Sequence, residues 1–227
     1  MAIEIQMKLN EKLYKRDPQD TKLGRRIIEE SINLIDELGF EKFTFKKLAD
    51  RIESTEASIY RYFENKHLLL VYLVSWYWEW VSYQINVGTN NMTDPVEQMK
   101  VIIDTIVDSS QTNPMVSFVD ESALNRIIVA ESTKAYHTKD VDSENKEGFF
   151  KNYKILCGHI VEVILKIQPG YPYPRTLAST MLEMANHQLF FAQHLPRLTD
   201  LQDEKQVLNE TKVMLRHFAF KLLDVPD

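Results

Sequence analysis

The sequence predicts an all-α protein in which a small helical domain precedes a larger helical bundle. Apolar residues recur at helical spacing along most of the chain, and no segment shows the alternation of a half-buried strand. Only six glycines and eight prolines occur in 227 residues, and long stretches without either residue suit helices better than a turn-rich β-fold. We expect an N-terminal arm over residues 1–20, a first domain over 21–66 and a second domain over 67–227.

The first domain opens with a helix whose start and end are both marked. Asp20 or Thr21 caps it, an apolar stripe runs to Leu38, and Gly39 ends it. Asn65 caps a later, long helix that has almost no polar face. A helix that is apolar nearly all round is buried on several sides, so we expect this one to join the two parts of the protein.

The second domain is expected to hold four or five further helices. The firmest break between them is the proline- and glycine-rich stretch 169–174, because proline cannot continue a helix. The expected helices run over 95–110, from 120 or 122 to 137, over 143–168, over 175–195, and from 199 or 200 to 223.

Charge and cysteine content limit the possible functions. The net charge is −6, but residues 1–70 hold 13 basic and 13 acidic residues and are neutral. A nucleic-acid role must therefore depend on where the cations lie. The single cysteine, Cys157, excludes an internal disulfide. No apolar run reaches the roughly 18 residues of a membrane span, and the start of the chain lacks the apolar core of a signal peptide. We expect a cytoplasmic protein that does not enter the membrane.

Two short helices separated by a turn of about three residues predict a helix-turn-helix unit. The helices and their caps are 45–52 with Thr44 and 56–63 with Thr55. In such units the second helix enters the major groove of DNA. Ile59 and Phe63 lie four residues apart and share the packed face. Tyr60, and by the same reasoning Tyr62, can then present a hydroxyl to phosphate, while packing alone is the alternative for both tyrosines.

Residues 22–71 resemble the DNA-binding domain of TetR-family transcriptional regulators. The features that carry the resemblance are Gly39-Phe40, the Lys47-Leu48-Ala49 core of the second helix, Ile59-Tyr60-Arg61-Tyr62-Phe63, Asn65-Lys66 and Leu69-Leu70. The resemblance implies a long fourth helix, a variable helical ligand-binding domain, and a homodimer built on the last two long helices. It also implies that a ligand in the second domain shifts the fourth helix and changes the separation of the two recognition helices.

The resemblance also implies a set of DNA contacts. Thr44, Tyr60, Tyr62 and Lys66 match positions that contact phosphate. Base reading falls to the first turn of the third helix, which here is Thr55, Glu56, Ala57 and Ser58. Lys42, Lys46, Lys47, Arg51 and Arg61 would complete a basic face.

Two residues depart from the family pattern. Glu53 stands in the turn where glycine is usual, and a positive φ is costly for any other residue. Glu56 stands where lysine is frequent, and a carboxylate facing DNA repels phosphate unless it accepts a hydrogen bond from cytosine N4. Weak or unusual DNA binding is therefore one expectation.

A ligand site is predicted from aromatic and methionine residues, with core packing as the alternative. Trp76 and Trp80 are four residues apart and share one helix face, whereas Trp78 points elsewhere. The candidate ligand-binding residues are Trp76, Trp80, Phe149, Tyr153 and Met184. Methionine suits an adaptable apolar pocket, so the expected ligand is apolar or amphipathic.

Metal and catalytic sites are not predicted. Glu183 and His187 are four residues apart, but no third ligand accompanies them. No glycine-rich phosphate loop or acid–base cluster is present, so we expect neither a cofactor nor an enzymatic activity.

The combined prediction is a homodimeric transcriptional repressor that binds double-stranded operator DNA and responds to a small-molecule effector. A helical dimer that binds a ligand or a protein, with weakened DNA binding because of Glu53 and Glu56, is the main alternative. Salt-sensitive, sequence-specific DNA binding distinguishes the two.

Overall fold

The computed structural model describes residues 5–109, 111, 118–201, 203 and 205–225. These residues form α-helices and short 3₁₀-helices and contain no strand, which confirms the predicted all-α fold. The α-helices are α1 (Lys22–Leu38), α2 (Phe45–Arg51), α3 (Glu56–Ile59), α4 (Lys66–Thr89), α5 (Pro95–Asp108), α6 (Glu121–Glu131), α7 (Thr133–Tyr136), α8 (Val141–Lys146), α9 (Lys151–Ile167), α10 (Pro174–His194) and α11 (Val207–Leu222). No helix among these residues is long and apolar enough to cross a membrane.

The chain divides into two compact units. The first comprises residues 1–80 and 110–153, and the second comprises 81–109 and 154–227. These units reflect how the residues pack. The functional domains expected from the sequence, an arm over 1–20 and domains over 21–66 and 67–227, stay a prediction.

Helix α1 begins and ends as the sequence predicts. The Thr21 hydroxyl accepts a hydrogen bond from the Gly24 backbone N–H at 2.9 Å. Gly39 has a φ of +76° and donates its N–H to the Ile35 carbonyl at 2.8 Å. Both ends therefore satisfy backbone groups that a helix otherwise leaves without partners.

Helix α4 is buried along its first half, as its composition predicts. Trp76, Tyr77, Trp78 and Trp80 are each at most 2% exposed. Residues 66–80 of this helix belong to the first unit and residues 81–89 to the second. The same helix therefore begins beside the helix-turn-helix and supplies much of the core of the first unit.

Two predicted helices are shorter or broken in the structure. The helix expected over 143–168 is interrupted at Gly148, whose φ is +82°, and this break separates α8 from α9. The third helix was expected to reach Phe63, but α3 ends at Ile59, and the Tyr62 N–H then donates to the Ile59 carbonyl at 2.8 Å in a tighter turn.

The last helix begins later than predicted. The sequence suggested a start at Thr199 or Asp200, whereas α11 begins at Val207. The Thr199 hydroxyl accepts from the Leu201 N–H at 3.2 Å, and Asp203 accepts from the Lys205 N–H at 3.0 Å. Such local side-chain bonds offer the backbone an alternative to the helix.

In the second unit α5 and α10 both pack against α11. Arg216 of α11 bonds Asp104 of α5 at 2.5 Å, and Lys212 bonds Asp108 at 2.8 Å. Phe218 and Leu222 lie one helical turn apart on α11 and are 45% and 52% exposed. These two side chains form an apolar surface that the second unit leaves uncovered.

Candidate nucleic-acid interface and ligand cavity

Helices α2 and α3 form a helix-turn-helix with the capping residues that the sequence predicts. The Thr44 hydroxyl accepts from the Lys47 N–H at 3.2 Å, and the Thr55 hydroxyl accepts from the Ser58 N–H at 3.3 Å. The apolar sides of the two helices are buried in the first unit: Phe45, Leu48, Ala49, Ile52, Ile59 and Phe63 are all at most 5% exposed. The opposite sides of both helices face solvent.

The turn between the helices depends on Glu53. This residue has a φ of +51°, in the left-handed region where glycine is favoured. The Ser54 N–H donates to the Ala49 carbonyl at 2.9 Å and the Glu53 N–H donates to the Asp50 carbonyl at 3.3 Å, which is the Schellman ending of a helix. The tight turn therefore forms without glycine, at a conformational cost of about 1–2 kcal/mol.

Most of the predicted DNA contacts lie on the solvent-facing side. Ser58 is half-buried, and its hydroxyl lies 3.0 Å from that of Thr55. This bond uses the proton of one hydroxyl and a lone pair of the other, so both hydroxyls keep hydrogen-bonding capacity, and the exposed Glu56 and Ala57 lie between them in the chain. The exposed residues of the predicted set are Thr44, Lys46, Lys47, Thr55, Glu56, Ala57, Tyr60 and Arg61.

The two tyrosines after α3 have different surroundings. Tyr60 is 45% exposed, and its ring packs edge-on against Phe45 with centroids 5.1 Å apart. Tyr62 is only 3% exposed, and its hydroxyl lies 2.7 Å from the Thr21 hydroxyl. This placement favours packing as the role of Tyr62 and leaves Tyr60 as the candidate phosphate contact.

Lys66 is also engaged inside the first unit. Its side-chain amine donates to the carbonyl oxygen of Phe40 at 3.1 Å and to those of Glu41 and Phe43 at 3.3 Å. The amine also lies 4.7 Å from the centroid of the Phe40 ring. The lysine therefore holds the loop between α1 and α2, and the phosphate contact that the resemblance implied stays a prediction.

The predicted basic face is partly neutralised. Arg51 bonds the Glu37 carboxylate at 2.5 Å and lies 3.7 Å from Glu30. The hydrogen bond between Arg51 and Glu37 lowers the pKa of the glutamate and raises that of the arginine. The Lys47 amine donates to the Lys42 carbonyl at 2.8 Å and keeps its charge at the surface.

An apolar cavity of about 220 Å³ lies in the first unit. One wall is formed by residues of a single face of α4. The other wall is formed by α7, by the first turn of α9 and by the two residues that precede α9. The lining residues are Val71, Val74, Ser75, Trp78, Tyr136, Phe149, Phe150 and Tyr153. The Ser75 hydroxyl donates to the Phe149 carbonyl at 3.2 Å and joins the two walls.

Two of the five predicted ligand-binding residues, Phe149 and Tyr153, line this cavity. Trp76 and Trp80 do share a face, with ring centroids 6.1 Å apart, but they stack on each other away from the cavity lining. Met184 belongs to the second unit. Trp76, Trp80 and Met184 therefore do not line this cavity, and a ligand-binding role for them stays a prediction.

Trp78 is one of six cavity-lining residues that the sequence did not single out; the others are Val71, Val74, Ser75, Tyr136 and Phe150. The Trp78 ring lies 4.7 Å from that of Tyr153, between centroids. The helical spacing of Val71, Val74, Ser75 and Trp78 places them on one face of α4, but spacing alone does not mark that face as a cavity wall.

Among the described residues, no group of three or more histidine, cysteine, aspartate or glutamate side chains is placed to hold a metal ion. His187 Nδ1 lies 2.8 Å from the backbone carbonyl oxygen of Glu183.

Comparison with known proteins supports the helix-turn-helix. Residues 27–73 match the family model for bacterial regulatory proteins, tetR family. No curated protein matches the chain.

Solved structures share the fold over most of the chain. The fatty acid degradation regulator FadR from Bacillus halodurans has a TM-score of 0.59 and 17% identity, over 84% of this chain and 96% of that one. AibR, in complex with isovaleryl coenzyme A and operator DNA, has a TM-score of 0.58 and 18% identity, over 84% of this chain and 97% of that one. The ketosteroid transcriptional regulator KstR2 of Mycobacterium tuberculosis has a TM-score of 0.54 and 14% identity, over 88% of this chain and 93% of that one. At these identities the likeness shows the fold.

Proposed function

Through residues 27–73 the chain belongs to the tetR family of bacterial regulatory proteins, and we propose that it is a homodimeric transcriptional repressor whose operator affinity is controlled by a small apolar ligand. The observation that carries this proposal is the position of the cavity. Helix α4 begins at Lys66, beside the helix-turn-helix, and lines the cavity with Trp78. Twelve helical residues span roughly 18 Å, so one rigid element connects both sites.

DNA binding is supported by the exposed side of α2 and α3. The recognition helix presents Glu56 and Ala57 in its first turn, with Tyr60 and Arg61 after it. An alanine methyl group suits the methyl group of thymine, and a glutamate can accept from cytosine N4. The proposed half-site therefore contains cytosine and thymine where the first turn of α3 meets the major groove.

The size and lining of the cavity limit the ligand. Drug-sized pockets measure roughly 300–1,000 Å³, and an apolar cavity of about 150 Å³ holds benzene. The cavity here, about 220 Å³, suits one aromatic ring or a short branched chain. The structural neighbours include a fatty acid degradation regulator, a ketosteroid transcriptional regulator and a protein in complex with isovaleryl coenzyme A, and we propose a short acyl or small aromatic group as the buried part of the ligand.

Communication between the sites is proposed to use contacts within the first unit. His67 Nε2 at the start of α4 lies 2.6 Å from the Glu144 carboxylate of α8. The Glu131 carboxylate of α6 accepts from the Phe40 N–H at 2.9 Å, just after α1. A ligand that moves the walls of the cavity would bias these contacts. Coupling of this kind is typically worth about 1–3 kcal/mol.

Dimerisation is proposed to use α10 and α11. The exposed Phe218 and Leu222 of α11 supply an apolar patch of the kind that marks an interaction site. A two-fold dimer would place its recognition helices one DNA turn apart, roughly 34–36 Å.

Fluorescence anisotropy tests the proposal. The full chain is titrated into labelled DNA that flanks its own gene, with scrambled DNA as competitor. Short-chain acyl coenzyme A esters and small aromatic acids are then added as candidate ligands. We expect specific binding and its weakening by at least one ligand of this class. Absence of sequence preference, for this DNA and for a randomised pool, would contradict the DNA-binding role and favour a helical ligand- or protein-binding module.

A further inference from the structure

The N-terminal arm, described from residue 5 to residue 20, passes beside the end of the recognition helix. The Lys15 backbone N–H donates to the Tyr62 carbonyl at 2.7 Å. The Arg16 guanidinium lies 5.8 Å from the centroid of the Tyr62 ring. These two contacts place the Lys15 backbone and the Arg16 guanidinium next to the segment that carries Tyr60 and Arg61.

The arm is an ordered part of the first unit. Leu13 is fully buried, and Gln19 is 1% exposed. The Gln19 side chain accepts from the Met7 N–H and donates to the Met7 carbonyl, both at 2.9 Å. A methyl group on Gly24 of α1 would collide with the backbone of Pro18. Such packing fixes the path of the arm before any partner binds, so little ordering entropy is lost on binding.

The charges on Lys15 and Arg16 are available at the surface. Both side chains are exposed, and neither forms an ion pair within the described part of the chain. Other cations of the same unit differ, since Lys12 pairs with Glu147 and Arg51 with Glu37. The neighbouring Asp17 carboxylate is occupied by the Gln19 N–H at 2.8 Å.

At this end of the candidate interface, two side chains for which the resemblance implied phosphate contacts are bonded within the first unit. The Tyr62 hydroxyl is bonded to Thr21, and the Lys66 amine is bonded to three carbonyl oxygens. The Arg16 guanidinium supplies positive charge beside Tyr62, and the exposed Lys15 and Arg61 adjoin these two residues in the chain.

We propose that Lys15 and Arg16 of the arm contact backbone phosphates of the DNA and so extend the interface beyond the helix-turn-helix. This inference rests on the proposed DNA-binding function. Contacts of this kind set position and affinity and carry no base information. They also release counterions. Each contact therefore adds about 0.9 to the steepness with which the logarithm of the binding constant falls against the logarithm of the salt concentration.

The test compares full-length variants on one operator DNA across a salt series. Lys15→Ala/Arg16→Ala removes both cations. Lys139→Ala/Lys151→Ala is the matched control, because both of these lysines are exposed and lie outside the helix-turn-helix and the arm. Lys15→Arg/Arg16→Lys keeps the charge. Circular dichroism and gel filtration check that each variant is folded.

Two phosphate contacts correspond to a loss of about 1.8 in the salt slope for Lys15→Ala/Arg16→Ala. By the same relation, the ratio of the wild-type DNA affinity to that of this variant is expected to fall about twelvefold between about 50 and 200 mM salt. The control and the charge-preserving variant should keep the wild-type slope. An unchanged slope in Lys15→Ala/Arg16→Ala, or an equal loss in the control, overturns the inference while specific binding by the wild type upholds the proposed function. Failure of the wild type to bind DNA specifically overturns both.

Discussion

The side-chain amine of Lys66 lies 3.1 Å from the carbonyl oxygen of Phe40. Two further carbonyl oxygens, of Glu41 and Phe43, lie 3.3 Å from the same amine. The first residue of α4 therefore holds the loop that connects α1 to α2, and a residue expected to bind phosphate stabilises the DNA-binding unit from inside.

Replacement of Lys66 by methionine is expected to lower the free energy of unfolding by about 1.5–3 kcal/mol, the usual range for hydrogen bonds to a charged group. Methionine keeps the apolar stem and removes the ammonium group. Urea unfolding followed by circular dichroism measures the change. Lys46→Met is the control, because Lys46 is exposed and its substitution should stay within about 0.5 kcal/mol. Equal midpoints for Lys66→Met and the wild type would show that the carbonyl contacts contribute no stability.

Glu53→Gly is expected to stabilise the protein. Glycine adopts the φ of +51° seen at this position without a Cβ clash, which relieves about 1–2 kcal/mol. The greater freedom of glycine in the unfolded chain offsets about 0.4–1 kcal/mol of that gain. A net gain of about 0.5–1 kcal/mol should appear in the urea midpoint.

Glu53→Ala separates backbone strain from charge at this position. Alanine removes the carboxylate but keeps the Cβ, so its stability should stay close to that of the wild type. An alanine variant as stable as the glycine variant would mean that the carboxylate, and not the backbone conformation, is the source of the effect.

The features that the sequence predicted correctly are local. Thr44 and Thr55 cap helices by bonds to backbone groups three residues away, and the unusual Glu53 was visible as a missing glycine. The roles of Tyr62 and Lys66 depend on partners distant in sequence. Thr21 is 41 residues from Tyr62, and no periodic pattern reports such a bond.

The cavity was predicted only in part for a similar reason. The cavity wall that faces α4 depends on Gly148. The positive φ of this glycine separates α8 from α9 and turns Phe149 and Phe150 toward α4. A continuous helix over this region gives those aromatic residues different directions. Helix periodicity alone could therefore nominate Phe149 and Tyr153 but could not distinguish Trp78 from its neighbours Trp76 and Trp80.

Tyr62→Phe and Tyr60→Phe are expected to have opposite effects. Loss of the Tyr62 hydroxyl removes its bond to Thr21 and should lower the free energy of unfolding by about 1 kcal/mol, with operator affinity unchanged. Loss of the exposed Tyr60 hydroxyl should leave stability unchanged and weaken operator binding about three- to tenfold, the value of one hydrogen bond. Urea unfolding and anisotropy on the same samples measure both quantities. Weaker DNA binding by Tyr62→Phe at unchanged stability would show that the Tyr62 hydroxyl contacts DNA.

Tryptophan fluorescence is expected to report ligand binding through Trp78. This indole lines the cavity, whereas Trp76 and Trp80 stack on each other away from the lining. A ligand that enters the cavity replaces empty space next to the Trp78 ring and should change its emission. The wild type, Trp78→Phe and Trp76→Phe are titrated with the acyl coenzyme A ester or aromatic acid that raises the melting temperature most. Trp78→Phe should lose most of the signal change and Trp76→Phe should keep it. A response that survives Trp78→Phe and disappears in Trp76→Phe would place the ligand on the other face of α4 and contradict the cavity as its binding site.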